Sequence, residues 1–312
     1  MTTPKPLLVL GATGRQGKKL VDTLIASDSK TSFTLLALTR NPEWPSAKAL
    51  TAKSSTIKLV KGNLDDVPAC FKAALEATNG MPIWGVFSIQ QAVQDGVTQE
   101  REMKQGKDMI DGAIANGVKV FVQTSVDRGG EKSDSNPTNV PHFISKHHIE
   151  AYLRERAEGG NMTYTILRPT AFMEGLTPNF MGKMFATMLK VSLGSKPITF
   201  IATSDIGFFA AQAFMQPDSP DYKNQAISLG GDDITFEQIN QDFKDKLGYP
   251  VPTTFEFLAH FALWMLPELA TMMRWFSEEG YVVDIPELKR MHPGLRTFGD
   301  WLERESGFPV RK

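Results

Sequence analysis

The sequence predicts an α/β protein, with a doubly wound parallel sheet followed by a smaller, mostly helical C-terminal region. Three observations predict it. Apolar Leu7-Leu8-Val9-Leu10 runs into Gly11, Gly14 and Gly17, and a helical repeat of Leu20, Val21, Leu24 and Ile25 follows at once. Strand and helix patterns then alternate as far as about residue 170. Beyond that point the alternation lapses into segments rich in Met and Phe.

The opening stretch reads as strand, tight turn and helix. Gly11 lets the chain turn sharply off the strand. Gly14 removes a side chain where a pyrophosphate approaches the backbone, and Gly17 lets the helix pack close to the strand. The free N–H groups at the helix start then face the phosphates. Phe33 to Thr39 is the second strand and Thr56 to Lys61 the third, with a helix from about Asp65 capped by Asn63 or Asp65. Ile83 to Ser88 is the fourth strand. A helix from about Thr98 to Asn116 follows, with Met103, Met109, Ile110 and Ala113 on its apolar side and Gly117 as its stop. Val118 to Ser125 is the fifth strand, His142 to Ala157 a helix, and Met162 to Leu167 the sixth strand. Residues 1–170 are thus expected to form a Rossmann-type nucleotide-binding domain, to which a later segment at about 198–216 returns. Residues 171–312 form a smaller, mainly helical substrate or partner region.

Composition narrows the function classes. The 312 residues suffice for one large domain with a smaller companion, and a net charge of −1 gives no overall attraction to nucleic acid or acidic lipid. The single cysteine, Cys70, forms no internal disulfide, which suits a reducing, cytoplasmic compartment. No signal segment is expected before the first strand. The most apolar late stretch, Phe255 to Phe276, carries Glu256, His260, Pro267, Glu268 and Arg274, so no membrane span is expected.

The strand ends carry the chemistry. The second strand ends Leu38-Thr39-Arg40-Asn41, without the acid that holds the ribose 2′-hydroxyl of NAD. Arg40, with Arg15 from the glycine turn, instead suits the 2′-phosphate of NADP. Asn63, Leu64 and Asp65 follow the third strand at the edge of the adenine pocket, and Ser88 ends the fourth beside the middle of the cofactor. Ser125, after the fifth, is expected to face the nicotinamide and position a substrate oxygen. His142 and Lys146 lie four apart and share a helical face. Lys146 is expected to reach the nicotinamide ribose, and His142 to hold or transfer a proton. His142, His147 and His148 do not share one face and no cysteine stands at ligand spacing, so no metal site is expected.

In the C-terminal region, Asn179 to Leu193 is rich in Met and Phe, Ile198 to Ile201 reads as a short strand, and Ser204 is expected to cap a helix running to about Met215. Ala226 to Leu229 reads as a strand. Thr235 with Gln238 forms a capping box before a helix to about Leu247. Phe255 to Phe276 is more apolar than one buried stripe requires. It reads as a packed helical pair, as the wall of an apolar ligand pocket, or as a partner surface.

With these motifs in view, the chain resembles the NmrA-like proteins, an atypical branch of the short-chain dehydrogenase/reductase superfamily. The matching stretches are Gly11 to Gly17, Thr39-Arg40-Asn41-Pro42, Gly62-Asn63-Leu64-Asp65, Pro141-His142-Phe143 with Lys146, Leu167 to Glu174 and His292 to Phe298. The resemblance implies NADP(H) binding through Gly11, Thr13, Gly14, Arg15, Gln16, Gly17 and Arg40, with Lys146 as the superfamily's active-site lysine. The chain departs from the superfamily's Tyr-x-x-x-Lys: His142 stands in the tyrosine's place, and none of the five tyrosines has a lysine four residues later. The leading expectation is an oxidoreductase moving hydride between NADPH and a small, partly apolar carbonyl or activated double bond. Its rival is a non-catalytic NADP(H) sensor that regulates a protein partner, for which a nuclear location would also be expected.

Overall fold

The computed structural model describes residues 3–27, 32–90 and 98–311. The chain divides into two compact units. The first comprises Met1–Ser125, Ile144–Arg168 and Ile206–Ile227, and the second Val126–Phe143, Pro169–Asp205 and Ser228–Lys312.

The alternating region begins β1 (Lys5–Val9), α1 (Arg15–Ala26), β2 (Phe33–Thr39), α2 (Pro45–Thr51), β3 (Ile57–Lys61), α3 (Val67–Ala77), β4 (Gly85–Ser88) and α4 (Gln99–Ala115). It continues with β5 (Val120–Thr124), α5 (Pro141–Ala157) and β6 (Thr163–Pro169). Then come β7 (Ala171–Phe172), α6 (Phe180–Leu193), β8 (Ile198–Ile201), α7 (Thr203–Met215), β9 (Gln225–Leu229) and β10 (Asp232–Ile234). The chain ends with α8 (Phe236–Leu247), α9 (Glu256–Met265), α10 (Pro267–Glu278), α11 (Ile285–Met291) and α12 (Phe298–Arg304).

The main sheet runs β3-β2-β1-β4-β5-β6-β9. The pairings β2–β3, β1–β2, β1–β4, β4–β5 and β5–β6 are all parallel. The order reverses between β1 and β4, so the first glycine turn stands at a topological switch point, where open α/β sheets bind ligands. Both faces of β1 are covered, which is why Leu7, Leu8 and Val9 form an unbroken apolar run instead of alternating. On one face, strand residues Leu8, Leu36, Val86, Phe121 and Ile166 pack with Phe71 of α3, Met109 and Ile110 of α4, and Ile149 and Leu153 of α5. On the other, a methyl added at Gly207 of α7 would lie 2.6 Å from the Lys19 carbonyl carbon of α1, so these helices touch backbone to backbone. This is the doubly wound architecture that the alternation predicts.

Several local expectations need correction. The cap of α3 is Asp66, whose carboxylate accepts from the Ala69 N–H at 3.1 Å, and neither Asn63 nor Asp65 fills that place. The helix starts at Val67, two residues past Asp65, with Pro68 in its first turn, where a missing N–H costs nothing. Ser204 lies inside α7, which begins at Thr203, and its hydroxyl donates to Glu305 at 3.0 Å. Met103 is half-buried, and the buried stripe of α4 is Glu102, Gln105, Gly106, Met109, Ile110 and Ala113. The strand at Ile198–Ile201 lies outside the main sheet and forms the middle of a three-stranded sheet, β10-β8-β7. Gly117 does end α4: its φ is 69° and its N–H bonds the Ile114 carbonyl at 3.0 Å.

The second unit packs around Phe143, Met173, Leu189, Phe200, Phe243, Trp275, Phe298 and Trp301. Helix α8 carries the predicted capping box, with the Thr235 hydroxyl on the Gln238 N–H and the Gln238 amide oxygen on the Thr235 N–H. The loop after β5 is organised by a buried acid. Asp127 accepts from the N–H groups of Gly129 at 3.0 Å, Gly130 at 2.9 Å and Val282 at 3.0 Å, and from the Ser228 hydroxyl at 2.6 Å. The segment Phe255 to Phe276 forms two helices, broken at Leu266 and Pro267. Helix α10 buries Met273, Trp275 and Phe276, whereas α9 buries Ala259 and leaves Phe257, Phe261 and Trp264 exposed.

Candidate functional site

The glycine turn has the shape that its residues predict. Gly11 has φ +61°, and a methyl there would lie 2.8 Å from Ile89 Cγ2. Gly14 donates its N–H to the Gly11 carbonyl at 2.8 Å. A methyl at Gly17 would lie 2.3 Å from that same carbonyl oxygen, so only glycine lets α1 start directly on the turn. Gly14 supplies no side-chain cap, and the first turn of α1 carries no acid. The amides at this 12-residue helix's start thus have no cap from the Gly14 side, and the helix dipole places its positive end there. Thr13 is half-buried and Arg15 exposed. Gln16 is buried, and its amide oxygen accepts from the Thr124 hydroxyl at 2.6 Å, tying the helix start to the end of β5.

At the tip of β2, Arg40 is exposed and its guanidinium lies over the Trp44 ring, 5.4 Å from the centroid. Past β3, Asn63 and Asp65 are exposed and Leu64 is half-buried. Asp65 accepts from Arg101 Nε at 3.0 Å, Gln105 at 2.8 Å and the Asn63 amide at 3.1 Å. These donors, Arg101 first, hold its carboxyl well below the usual carboxylate range.

The ends of β4 and β5 carry a buried amide network. Gln90 donates to the Ser88 hydroxyl at 2.8 Å and accepts from the Gln123 amide at 2.9 Å, and Gln123 also donates to the Thr124 carbonyl at 2.7 Å. Lys146 reaches this network through the Gln90 carbonyl, 3.2 Å from its Nζ. Lys146 is 7% exposed, and its ammonium lies 2.8 Å from Glu102 Oε1. Glu102 is fully buried on α4, and its Oε2 accepts from the Ser145 hydroxyl at 2.6 Å. The two helices approach this closely because a side chain at Gly106 would strike Ile149.

Ser125 is buried, and its hydroxyl donates to Glu150. The same carboxylate receives Arg168, through Nε at 3.1 Å and a terminal nitrogen at 2.5 Å. The Ser125 proton that a substrate oxygen would need is thus held by Glu150. His142 belongs to the second unit, where Nδ1 lies 2.9 Å from Glu268 Oε1.

In the first unit the glycine turn, Ser88 and Ser125 stand at the carboxyl ends of the neighbouring strands β1, β4 and β5, and Lys146 of α5 reaches the Gln90 carbonyl just past β4. Glu102, Glu150 and Arg168 escape sequence reasoning, although Glu102 falls on the stripe of Gly106, Met109 and Ala113. A carboxylate at such a position signals a buried partner. Among the described residues no group of three or more His, Cys, Asp or Glu is placed to hold a metal ion. No helix among them is long and apolar enough to cross a membrane.

The profile of the NmrA-like family matches residues 3–302. The chain belongs to the NmrA-like family. The NmrA-like family domain-containing oxidoreductase ptmS of Penicillium ochrochloron is 29% identical over 191 residues, which cover 60% of this chain and 52% of that protein. The aligned part thus spans about half the length of that curated relative. Two solved structures share the fold. NmrA, a negative transcriptional regulator in complex with NADP, superposes with a TM-score of 0.69 at 16% identity, covering 98% of this chain and 96% of NmrA. The triphenylmethane reductase of Citrobacter sp., complexed with NADP(H), gives 0.68 at 18% identity, covering 96% and 99%.

Proposed function

We propose that this NmrA-like chain is an NADP(H)-dependent oxidoreductase acting on a small, partly apolar carbonyl or activated double bond. The observation that carries the reading is the uncapped, acid-free start of α1 beneath a turn whose glycines leave no room for a side chain. That cradle fits a pyrophosphate. The exposed Arg40 at the tip of β2, where an NAD site has an acid, supports a 2′-phosphate, with Arg15 approaching from the turn. The oxidoreductase name of the Penicillium relative and the NADP(H) complex of the Citrobacter reductase support the same class.

The nicotinamide, when bound, supplies the hydride. The backbone amides of Gly14 to Gly17 would bind the pyrophosphate, and Arg40 would pair with the 2′-phosphate. Asn63, Leu64 and Asp65 would border the adenine, and the backbone at Ser88, whose side chain is buried, would pass the middle of the cofactor. Lys146 donates to the nicotinamide-side ribose and adds positive charge where a carbonyl oxygen becomes negative. His142, its ring oriented by Glu268, or a water, delivers the proton that the superfamily's tyrosine otherwise supplies. Ser125, with its proton on Glu150, enters as an acceptor for a substrate donor group.

An NADPH-consumption screen over carbonyl compounds tests the reading. Steady turnover that Lys146→Ala abolishes is expected. Tight NADPH binding with no turnover over a wide panel would overturn the enzyme and leave the regulator reading, which the exposed aromatic face of α9 and the likeness to NmrA favour.

A further inference from the structure

We propose that Glu102 is a positioning residue for Lys146, its buried carboxylate holding the ammonium at the end of β4 to donate to the ribose diol on the nicotinamide side of a bound dinucleotide. This rests on the NADP(H) reading above.

Stability does not account for the pair. Glu102 is 0% exposed and Lys146 7%, and their charges meet at 2.8 Å. Removing two charges from water is costly, and apolar side chains of similar volume are commonly as stable or more so. A buried pair with no stability advantage points to a use.

The geometry shows what that use is. Ser145 donates to Glu102 Oε2 at 2.6 Å and fixes the carboxylate. Lys146 meets the other oxygen, Glu102 Oε1, as an ion pair at 2.8 Å, and among the described residues that oxygen has no further partner. Among the described residues, the lysine's hydrogen bond is to the Gln90 carbonyl, 3.2 Å away. An ammonium has three N–H donors. Here one N–H is spent on Gln90 and the charge is turned to Glu102, which among the described residues leaves a donor for a ligand, inside a site where an unmet donor is costly. The anchors on both sides are themselves held. Gln90 is braced by Ser88 and Gln123, and α4 is seated on α5 where Gly106 meets Ile149. A pair of vicinal hydroxyl oxygens beside the end of β4 is the acceptor set that such an ammonium fits.

The test separates the two ends of the cofactor. Wild type, Glu102→Gln and the double variant Glu102→Leu/Lys146→Met are titrated with NADPH and with adenosine 2′,5′-bisphosphate, which lacks the nicotinamide ribose. Glu102→Gln is expected to weaken NADPH by about tenfold or more, the loss carried by a hydrogen bond to a charged group, and to leave the bisphosphate unchanged. Equal weakening of both ligands would make Glu102 merely structural, and unchanged binding of both would also overturn the proposal. Should Glu102→Gln fail to fold, the double variant decides. It is expected to melt near the wild type, bind the bisphosphate normally and bind NADPH weakly. Wild-type affinity for NADPH in that variant would refute the assignment. A wild-type protein that binds neither ligand would overturn the underlying cofactor reading along with it.

Discussion

Gly17→Ala should damage both stability and nucleotide binding, and its size can be worked out from the structure. The added methyl would lie 2.3 Å from the Gly11 carbonyl oxygen, 2.7 Å from the Gly11 carbonyl carbon and 3.0 Å from Ala12 Cα. All three are backbone atoms, so no rotamer change relieves them. The shortfall from ordinary van der Waals contact is about 1 Å. Overpacking of this kind costs about 1–3 kcal/mol, while alanine in a helix recovers up to roughly 1 kcal/mol over glycine. The net loss is about 1–2 kcal/mol, or roughly 1.5–3 °C in Tm for a chain of 312 residues. The strain is relieved by moving the turn off the helix, which displaces the amides that face the anion. NADPH affinity should therefore fall by about tenfold or more. Thermal melting and calorimetric titration measure the two effects. Gly80→Ala is the control, because its φ of +84° strains a side chain while nothing lies within 4 Å of the new methyl. It should lower Tm and leave affinity alone. If Gly17→Ala kept wild-type Tm and wild-type affinity, the close-packed turn would be wrong.

Other perturbations probe separate parts of the account. Arg40→Ala should weaken NADPH by roughly 10- to 100-fold and leave NADH unchanged, as measured by titration with each nucleotide. Burial pushes the Cys70 thiol up to about 11, against an unperturbed value of 9.0. Its contribution to stability is full below pH 9.0 and is lost as pH rises toward 11, because the unfolded thiol ionises first. Native protein at pH 8 should accordingly react slowly with a thiol reagent and quickly once unfolded. Asp127→Asn should destabilise by about 2–4 kcal/mol in urea unfolding. Four donors converge on the two carboxylate oxygens, and an amide nitrogen would face two of them.

Much of the fold was legible because local chemistry and global topology agree. Phe33 to Thr39 is an apolar run buried on both faces and appears as β2 with those bounds. Thr235 and Gln238 form a cap whose two hydrogen bonds are local in sequence. The glycine turn was legible for the same reason: each glycine answers a steric demand within a few residues. What escaped depends on distant partners. Strands β7 and β10 have too few residues for periodicity and exist through pairing with β8. Helix α2 has seven residues behind Trp44 and no side-chain cap to announce it. In the run Asn63-Leu64-Asp65-Asp66 three residues can cap, and position alone does not choose among them. The same limit applies at the site. Lys146 could be singled out by its spacing from His142, but Glu102, 44 positions earlier, meets it only through the packing of α4 on α5. Ser125 reads as a strand-end hydroxyl facing a ligand, and its link to Glu150 and Arg168 arises from the pairing of β5 with β6.

Calorimetric titration of the intact protein with NADPH, NADP, NADH and NAD shows whether the glycine turn and Arg40 form a site for a phosphorylated dinucleotide. One site per chain should bind the phosphorylated forms at least about tenfold more tightly than their unphosphorylated counterparts. Equal binding of NADH and NADPH would contradict the roles given to Arg40 and Arg15, and no binding of any of the four would contradict the account as a whole.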